Sequence, residues 1–108
     1  MMSDIYVDDI GDGFPLVLVH GYLGSSEMWT FQKDFFSKEC RVITPALPGF
    51  GESHNVKSSD SINKMAKEII NLLDKKKIDK FNLIGHSMGG MIVQEITKLI
   101  GDRVNKLI

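Results

Sequence analysis

Short apolar runs alternate with longer amphipathic segments along this chain, and that alternation restricts the fold more than any single residue does. Leu16-Val17-Leu18-Val19 is the clearest run: continuously apolar, rich in β-branching, preceded by Pro15 and followed closely by Gly21. A strand with one wet face alternates apolar and polar residues, whereas an unbroken run suits a parallel strand covered on both faces. Arg41–Thr44 and Phe81–Ile84 are further β-type runs, the first stopped by Pro45, and Val104–Ile108 opens another. Ile5-Tyr6-Val7 is a short outlying one that ends at the turn signal Gly11-Asp12-Gly13. Between these runs the period is helical. Ser25 and Ser26 offer N-caps to a helix reaching about Lys38, with Met28, Phe31, Phe35 and Phe36 expected on its buried face and Trp29 in the core. A second helix is expected from about Asp60 to Lys76, with Ile62, Met65, Ala66, Ile69, Leu72 and Leu73 along one side. A third spans Met88–Ile100, with Gly101 as its stop. Strands joined through helices of this length require parallel βαβ crossovers. The expected class is therefore α/β, a mostly parallel sheet flanked by helices.

Composition narrows the function classes. At 108 residues the chain is one domain at most, and 43% hydrophobic with 25% charged residues is the profile of an ordinary soluble globular protein. The formal net charge is −1 with both signs interspersed, which leaves no electrostatic footprint for nucleic acid or an anionic membrane. The one basic cluster, Lys75-Lys76-Lys77, closes the second helix, where positive charge complements the helix dipole. Cys40 is the only cysteine, so no intrachain disulfide can form, and no cluster of metal-ligand spacing occurs. No metal and no other cofactor is expected. Neither a signal-like segment nor an apolar stretch of membrane-spanning length is visible, so a cytoplasmic location is the default expectation.

Chemistry concentrates in two segments. Gly85-His86-Ser87-Met88-Gly89 matches G-x-S-x-G and lies between the apolar run Phe81–Ile84 and the helical pattern Met88–Ile100. A serine on a sharp strand-to-helix turn is held in a strained backbone conformation that presents its hydroxyl above the strand ends. Positions two residues to either side come too close to carry a Cβ, which accounts for Gly85 and Gly89. Gly90 is expected to let the helix start pack tightly against the sheet. The first helical amides, beginning with the N–H of Met88, point toward a developing negative charge. The plain alternative is a serine that caps a helix, with incidental glycines. The second segment, His20-Gly21-Tyr22-Leu23-Gly24-Ser25-Ser26, follows the Leu16–Val19 run directly. Glycines at 21 and 24 allow a loop to bring a second backbone donor inward, and the N–H of Tyr22 is the candidate.

Together with Pro48-Gly49-Phe50-Gly51-Glu52-Ser53, these segments resemble the α/β-hydrolase family, in particular its serine esterase and lactonase branch. The resemblance covers nearly the whole chain and looks like the family's first half, so residues 1–108 are expected to form the N-terminal part of such a domain, with oxyanion loop and nucleophile elbow. It implies a sheet ordered 42–44, 16–19, 81–84, 104–108, all parallel. It implies Ser87 as nucleophile, Tyr22 and Met88 as backbone oxyanion donors, and His20, Gly21, Gly85, His86, Gly89 and Gly90 as supporting residues. It implies no metal. One residue departs from the family's pattern: Ala46 stands where an aspartate is usual, and the loop from Ala46 to Ser53 is expected to lack one local hydrogen bond.

A serine hydroxyl is a poor nucleophile until a base accepts its proton, and that base needs an orienting acid. In the family both come from later loops, and here the chain ends first. His86 should be directed away from Ser87, His20 is expected to be structural, and His54 lies in a polar loop. The expected activity is hydrolysis of small-molecule carboxylic esters, thioesters or lactones through an acyl-enzyme on Ser87, by an enzyme of which this fragment alone is inactive. The alternative is a non-catalytic ligand-binding member or inert fragment. A dinucleotide site is excluded for want of G-x-G-x-x-G after a strand. The apolar edge at Val104–Ile108 is expected to take a missing C-terminal segment or to self-associate.

Overall fold

The structure is a computed structural model that describes residues 5–21, 24–53 and 61–108. Five strands, β1 (Val7–Ile10), β2 (Pro15–Val19), β3 (Arg41–Pro45), β4 (Phe81–Gly85) and β5 (Val104–Leu107), alternate with α1 (Thr30–Phe36), α2 (Ile62–Lys75) and α3 (Met88–Ile100). They form one sheet in the order β1-β3-β2-β4-β5. Strands β3, β2, β4 and β5 are parallel, as the crossover argument requires, and only β1 runs antiparallel, against β3.

The unbroken apolar run of β2 is explained by what covers it. Val17 and Val19 lie in one core with Ile43, Leu47, Phe81 and Leu83, under Met65, Ala66, Ile69 and Leu73 of α2 and Ile92, Val93 and Ile96 of α3. Leu16 and Leu18 point the other way and pack with Trp29 and Val42. Every one of these residues is buried. Helix α2 starts at Ser61, whose hydroxyl accepts the N–H of Lys64, and α3 spans the residues its apolar period predicts. No helix among the described residues is long and apolar enough to cross a membrane.

Two local expectations are corrected. The first strand is not Ile5–Val7 but Val7–Ile10, which takes Asp8 and Asp9 into an edge. Aspartate is a poor strand former, and its place here rests on countercharges: Asp8 meets Lys33 at 2.6 Å, while Asp9 meets Arg41 at 2.7 Å and Lys76 at 2.8 Å. The first helical segment also presents a different stripe from the one its apolar content suggests. It opens as a 3-10 turn over Ser26–Trp29, and Ser26, Trp29 and Phe36 turn inward. Met28, Phe31 and Phe35 face solvent, Phe31 at 83% and Phe35 at 68% exposure. The bulk of Trp29 and the Lys33–Asp8 ion pair set the phase, and three apolar side chains follow to the outside.

Arg41 grips Asp9 through two hydrogen bonds, Nε to Oδ1 at 2.9 Å and Nη2 to Oδ2 at 2.7 Å. Chiefly through these bonds, against the opposing effect of burial and with help from Lys76, the Asp9 carboxyl is lowered to about 2. A depressed carboxyl contributes stability that is complete above its unfolded value of 3.8 and is lost as pH falls through about 2. Asp9→Asn should therefore lower the thermal midpoint at neutral pH and flatten the acid limb of the stability profile in that window, measured by thermal unfolding across pH.

Thr44, on β3, is fully buried, and its hydroxyl has no hydrogen-bond partner among the described residues. An unsatisfied buried hydroxyl costs about 1–3 kcal/mol. Thr44→Val keeps the shape and removes the polar atom, so a gain of about 1 kcal/mol in denaturant unfolding is expected.

Candidate active site

Among the described residues, serines stand at three helix entrances, and they behave differently. Ser25 (φ −155°, ψ 174°) and Ser61 (φ −114°, ψ 124°) are extended, and each hydroxyl accepts an amide of the helical turn that follows. Ser87 stands at φ 58°, ψ −123°, and its side chain makes no cap hydrogen bond. A positive φ is uncommon for a residue with a Cβ and costs on the order of 1–3 kcal/mol. Ser87 is exposed. Its hydroxyl is displayed rather than used to cap, which removes the plain capping reading.

The glycines explain how the bend is held. A Cβ at Gly85 would stand 2.3 Å from the Gly89 carbonyl oxygen, and one at Gly89 would stand 2.2 Å from that of Val19. Strand end, bend and helix start thus touch backbone to backbone, with His86 N–H donating to the Val19 carbonyl at 3.1 Å. Gly90 is different. The nearest atom to a Cβ there is the Gly85 oxygen at 4.0 Å, an ordinary contact. The close packing expected at Gly90 belongs to Gly89 alone, because only Gly89 sits against the end of β2.

In the first turn of α3, Gly89 N–H donates to His86 and Gly90 N–H to Ser87, at 2.9 and 2.8 Å. The N–H of Met88 has no intrahelical partner by construction, and among the described residues no backbone hydrogen bond engages it. It remains next to the serine as a donor without a backbone acceptor. On the other side lies Gly21, buried, where a Cβ would meet Ser87 Cβ at 2.8 Å and Oγ at 3.4 Å. The loop after β2 therefore reaches the Ser87 side chain. Tyr22, the candidate second donor, lies outside the described residues, as does His54.

His20 and His86 have different surroundings. His20 is fully buried, with Nδ1 2.7 Å from the Gly21 oxygen and Nε2 2.9 Å from the Leu47 nitrogen. With both ring nitrogens so engaged, it is not placed to take a proton from Ser87. His86 is exposed and makes no side-chain hydrogen bond to Ser87. No group of three or more His, Cys, Asp or Glu side chains is arranged to hold a metal ion among the described residues.

The Pro48–Ser53 loop packs against Ser25 and His20, contacts that its motif does not announce. Ser53 Oγ donates to the Ala46 carbonyl and accepts the Tyr6 N–H, both at 2.8 Å, while Ala46 N–H donates to the Tyr6 carbonyl at 2.8 Å. Ala46 offers no side-chain polar atom, and the serine that ends the block ties the loop instead. Gly51, at φ 50°, passes so near Ser25 that a Cβ would stand 2.4 Å from the Ser25 Cβ. Phe50 lies edge-on to the His20 ring, 6.3 Å between centroids. The Leu47 amide is a backbone group, so no residue type could have announced it.

Comparisons with known proteins agree with this fold. The chain is 39% identical over 95 residues to the dihydrolipoyllysine-residue acetyltransferase component of the acetoin cleaving system of Pseudomonas putida, covering 88% of this chain and 26% of that protein. The solved thermophilic esterase of Thermogutta terrifontis superposes with a TM-score of 0.90 at 34% identity, over 95% of this chain and 38% of the esterase. Est816, described as an N-acyl homoserine lactone degrading enzyme, superposes with a TM-score of 0.90 at 31% identity, over 95% of this chain and 40% of its own. The chain thus spans between about a quarter and two fifths of the length of these relatives. A family profile described as alpha/beta hydrolase fold matches residues 15–108. With its parallel sheet and its bend at Ser87, the chain belongs to the alpha/beta hydrolase family.

Proposed function

We propose that this chain supplies the nucleophile and oxyanion half of a serine hydrolase that cleaves carboxylic esters, thioesters or lactones of small molecules. The observation that carries the reading is the exposed Ser87 at φ 58°, displayed on a glycine-locked bend and left out of helix capping. In this reaction Ser87 Oγ bonds to the substrate carbonyl carbon while its proton passes to a base. The carbonyl oxygen becomes an oxyanion held by the N–H of Met88 and a donor from the His20–Gly24 loop, for which Tyr22 is the proposed residue. The alcohol or thiol leaves with that proton, and water then releases the acid from the acyl-enzyme. In a lactone the leaving hydroxyl stays attached to the acyl chain until water frees the hydroxy acid. The names of the Thermogutta esterase and of Est816 favour this substrate range.

Neither described histidine is placed as the base. We therefore assign the base and its acid to the part of the hydrolase domain outside these residues, and residues 1–108 alone to an inactive state. The edge of β5, with Leu107 and Ile108 exposed, would pair with that part or with a second copy. Labelling with a fluorophosphonate, followed by peptide mapping, tests the proposal. With the rest of the domain present, Ser87 should carry the label. An unlabelled Ser87 under those conditions favours a non-catalytic, ligand-binding member of the fold.

A further inference from the structure

The turn signal Gly11-Asp12-Gly13 joins β1 to β2, yet these strands are not neighbours. Strand β3 lies between them, and its Val42 pairs with Ile10 on one side and with Leu16 on the other. Residues 11–14 therefore cross the entrance of β3, a span of two strand spacings or about 10 Å. They cross it in close contact. A Cβ at Gly11 would stand 2.3 Å from the Cys40 oxygen and 2.6 Å from that of Ser37, and one at Gly13 would stand 2.6 Å from that of Glu39. As the crossing ends, the Phe14 carbonyl accepts the Arg41 N–H at 3.3 Å. The link is a strap that holds the edge strand β1 across β3.

Asp12 stands at the crest of this strap, exposed, and its carboxylate makes no hydrogen bond or ion pair among the described residues. The aspartates before it are held: Asp8 by Tyr6 and Lys33, Asp9 by Arg41 and Lys76. The Gly13 N–H enters no backbone hydrogen bond among the described residues, and glycine has no Cβ to shield its nitrogen. A free carboxyl group thus sits beside an unshielded, unbonded amide nitrogen. We propose that Asp12 is a site of spontaneous isoaspartate formation, which lengthens the strap by one main-chain atom and loosens its hold on β1. The Gly13 nitrogen bonds to Asp12 Cγ and gives up its proton, the protonated carboxyl group gives up its hydroxyl, and the two leave as water. A succinimide results, closed through the Asp12 main-chain carbonyl. Water then adds to one of the two ring carbonyls. Opening at Cγ restores aspartate. Opening at the main-chain carbonyl breaks its bond to the Gly13 nitrogen, leaves that carbon as a free carboxylate and routes the chain through Cβ and Cγ. One water is lost and one regained, so mass and charge do not change. With the glycines already against the Ser37–Cys40 backbone, the extra atom has no room and must lift the crossing away.

The test ages the protein at neutral pH, with the rest of the hydrolase domain present, both folded and in denaturant. Each sample is then digested, and an isoaspartate-specific methyltransferase marks the modified peptide. In the folded protein the methyl group should map to residue 12, accumulating within about tenfold of the rate in denaturant, as for an exposed turn that opens at little cost. Asp12→Glu keeps the charge but cannot close the succinimide ring, and its peptide should stay unmarked. Because Asp12 has no side-chain partner, that variant should fold as the parent does, and the folded-against-denatured comparison needs no variant. The modified folded fraction, separated by chromatography, should unfold about 2 °C or more below the unmodified one. Isoaspartate that forms at residue 12 in denaturant but not in the folded protein overturns the site, as does marking of other aspartates alone. A modified fraction with the parental midpoint overturns the strap.

Discussion

Ser87→Ala, with the rest of the hydrolase domain present, is expected to lower ester turnover by on the order of 10⁶-fold while leaving the unfolding midpoint unchanged. The chemical half follows from the missing oxygen, since no acyl-enzyme can form without it. The stability half follows from the backbone. Alanine at φ 58° carries the same Cβ and the same strain as serine. Ser87→Gly separates the two properties, because it is equally inactive but free of that strain. Relief of part of the on the order of 1–3 kcal/mol held at such a site, less the extra freedom glycine gives the unfolded chain, leaves a net gain of about 1 kcal/mol. Steady-state kinetics and denaturant unfolding on the three proteins check both halves. An alanine variant with parental turnover would remove Ser87 from the reaction.

Neighbouring glycines in α3 should respond with opposite signs. At Gly89 an added Cβ meets the Val19 oxygen at 2.2 Å, the His20 oxygen at 2.6 Å and the Val19 carbon at 2.9 Å. All three are backbone atoms of β2 or the residue that follows it, and no rotamer change can withdraw them. Overpacking of this kind costs about 3 kcal/mol or more, a large share of the about 5–15 kcal/mol that holds a typical domain folded. Gly89→Ala should therefore unfold at much lower denaturant, and with the helix start displaced it should also lose fluorophosphonate labelling. Gly90→Ala adds a Cβ at ordinary distance in a helix. It should gain about 0.5–1 kcal/mol from helix propensity and keep labelling. If Gly89→Ala unfolds at the parental denaturant concentration, the bend is not locked as described.

Much of the architecture was legible because it depends on neighbours in sequence. The unbroken Leu16–Val19 run required two covering layers, and α2 carries its apolar stripe at Ile62, Met65, Ala66, Ile69 and Leu73, with the expected Leu72 left out of the core. The segment 26–36 was misread for a physical reason. Its apolar residues outnumber the places available against the sheet, and the side facing in was decided by the Trp29 side chain, a 3-10 turn and the Lys33–Asp8 ion pair. Strand β1 was shifted likewise, since Asp8 and Asp9 are poor strand formers until Lys33, Arg41 and Lys76 are brought beside them. Of the site, Ser87 with Gly85 and Gly89 could be read directly, whereas Gly90 resembled its neighbour without sharing its contact.

The order of strands and helices, and the place where a hydroxyl must leave the backbone in a forbidden-looking turn, were set by local sterics and side-chain period, which neighbouring residues carry in full. What holds the His20 ring, which face of the first helix is dry and which strand runs backward depend on groups far along the chain. Those were decided only when folding brought the Leu47 amide to an imidazole and three cations to two aspartates, because a hydrogen bond or an ion pair has no strength until its partner is within reach.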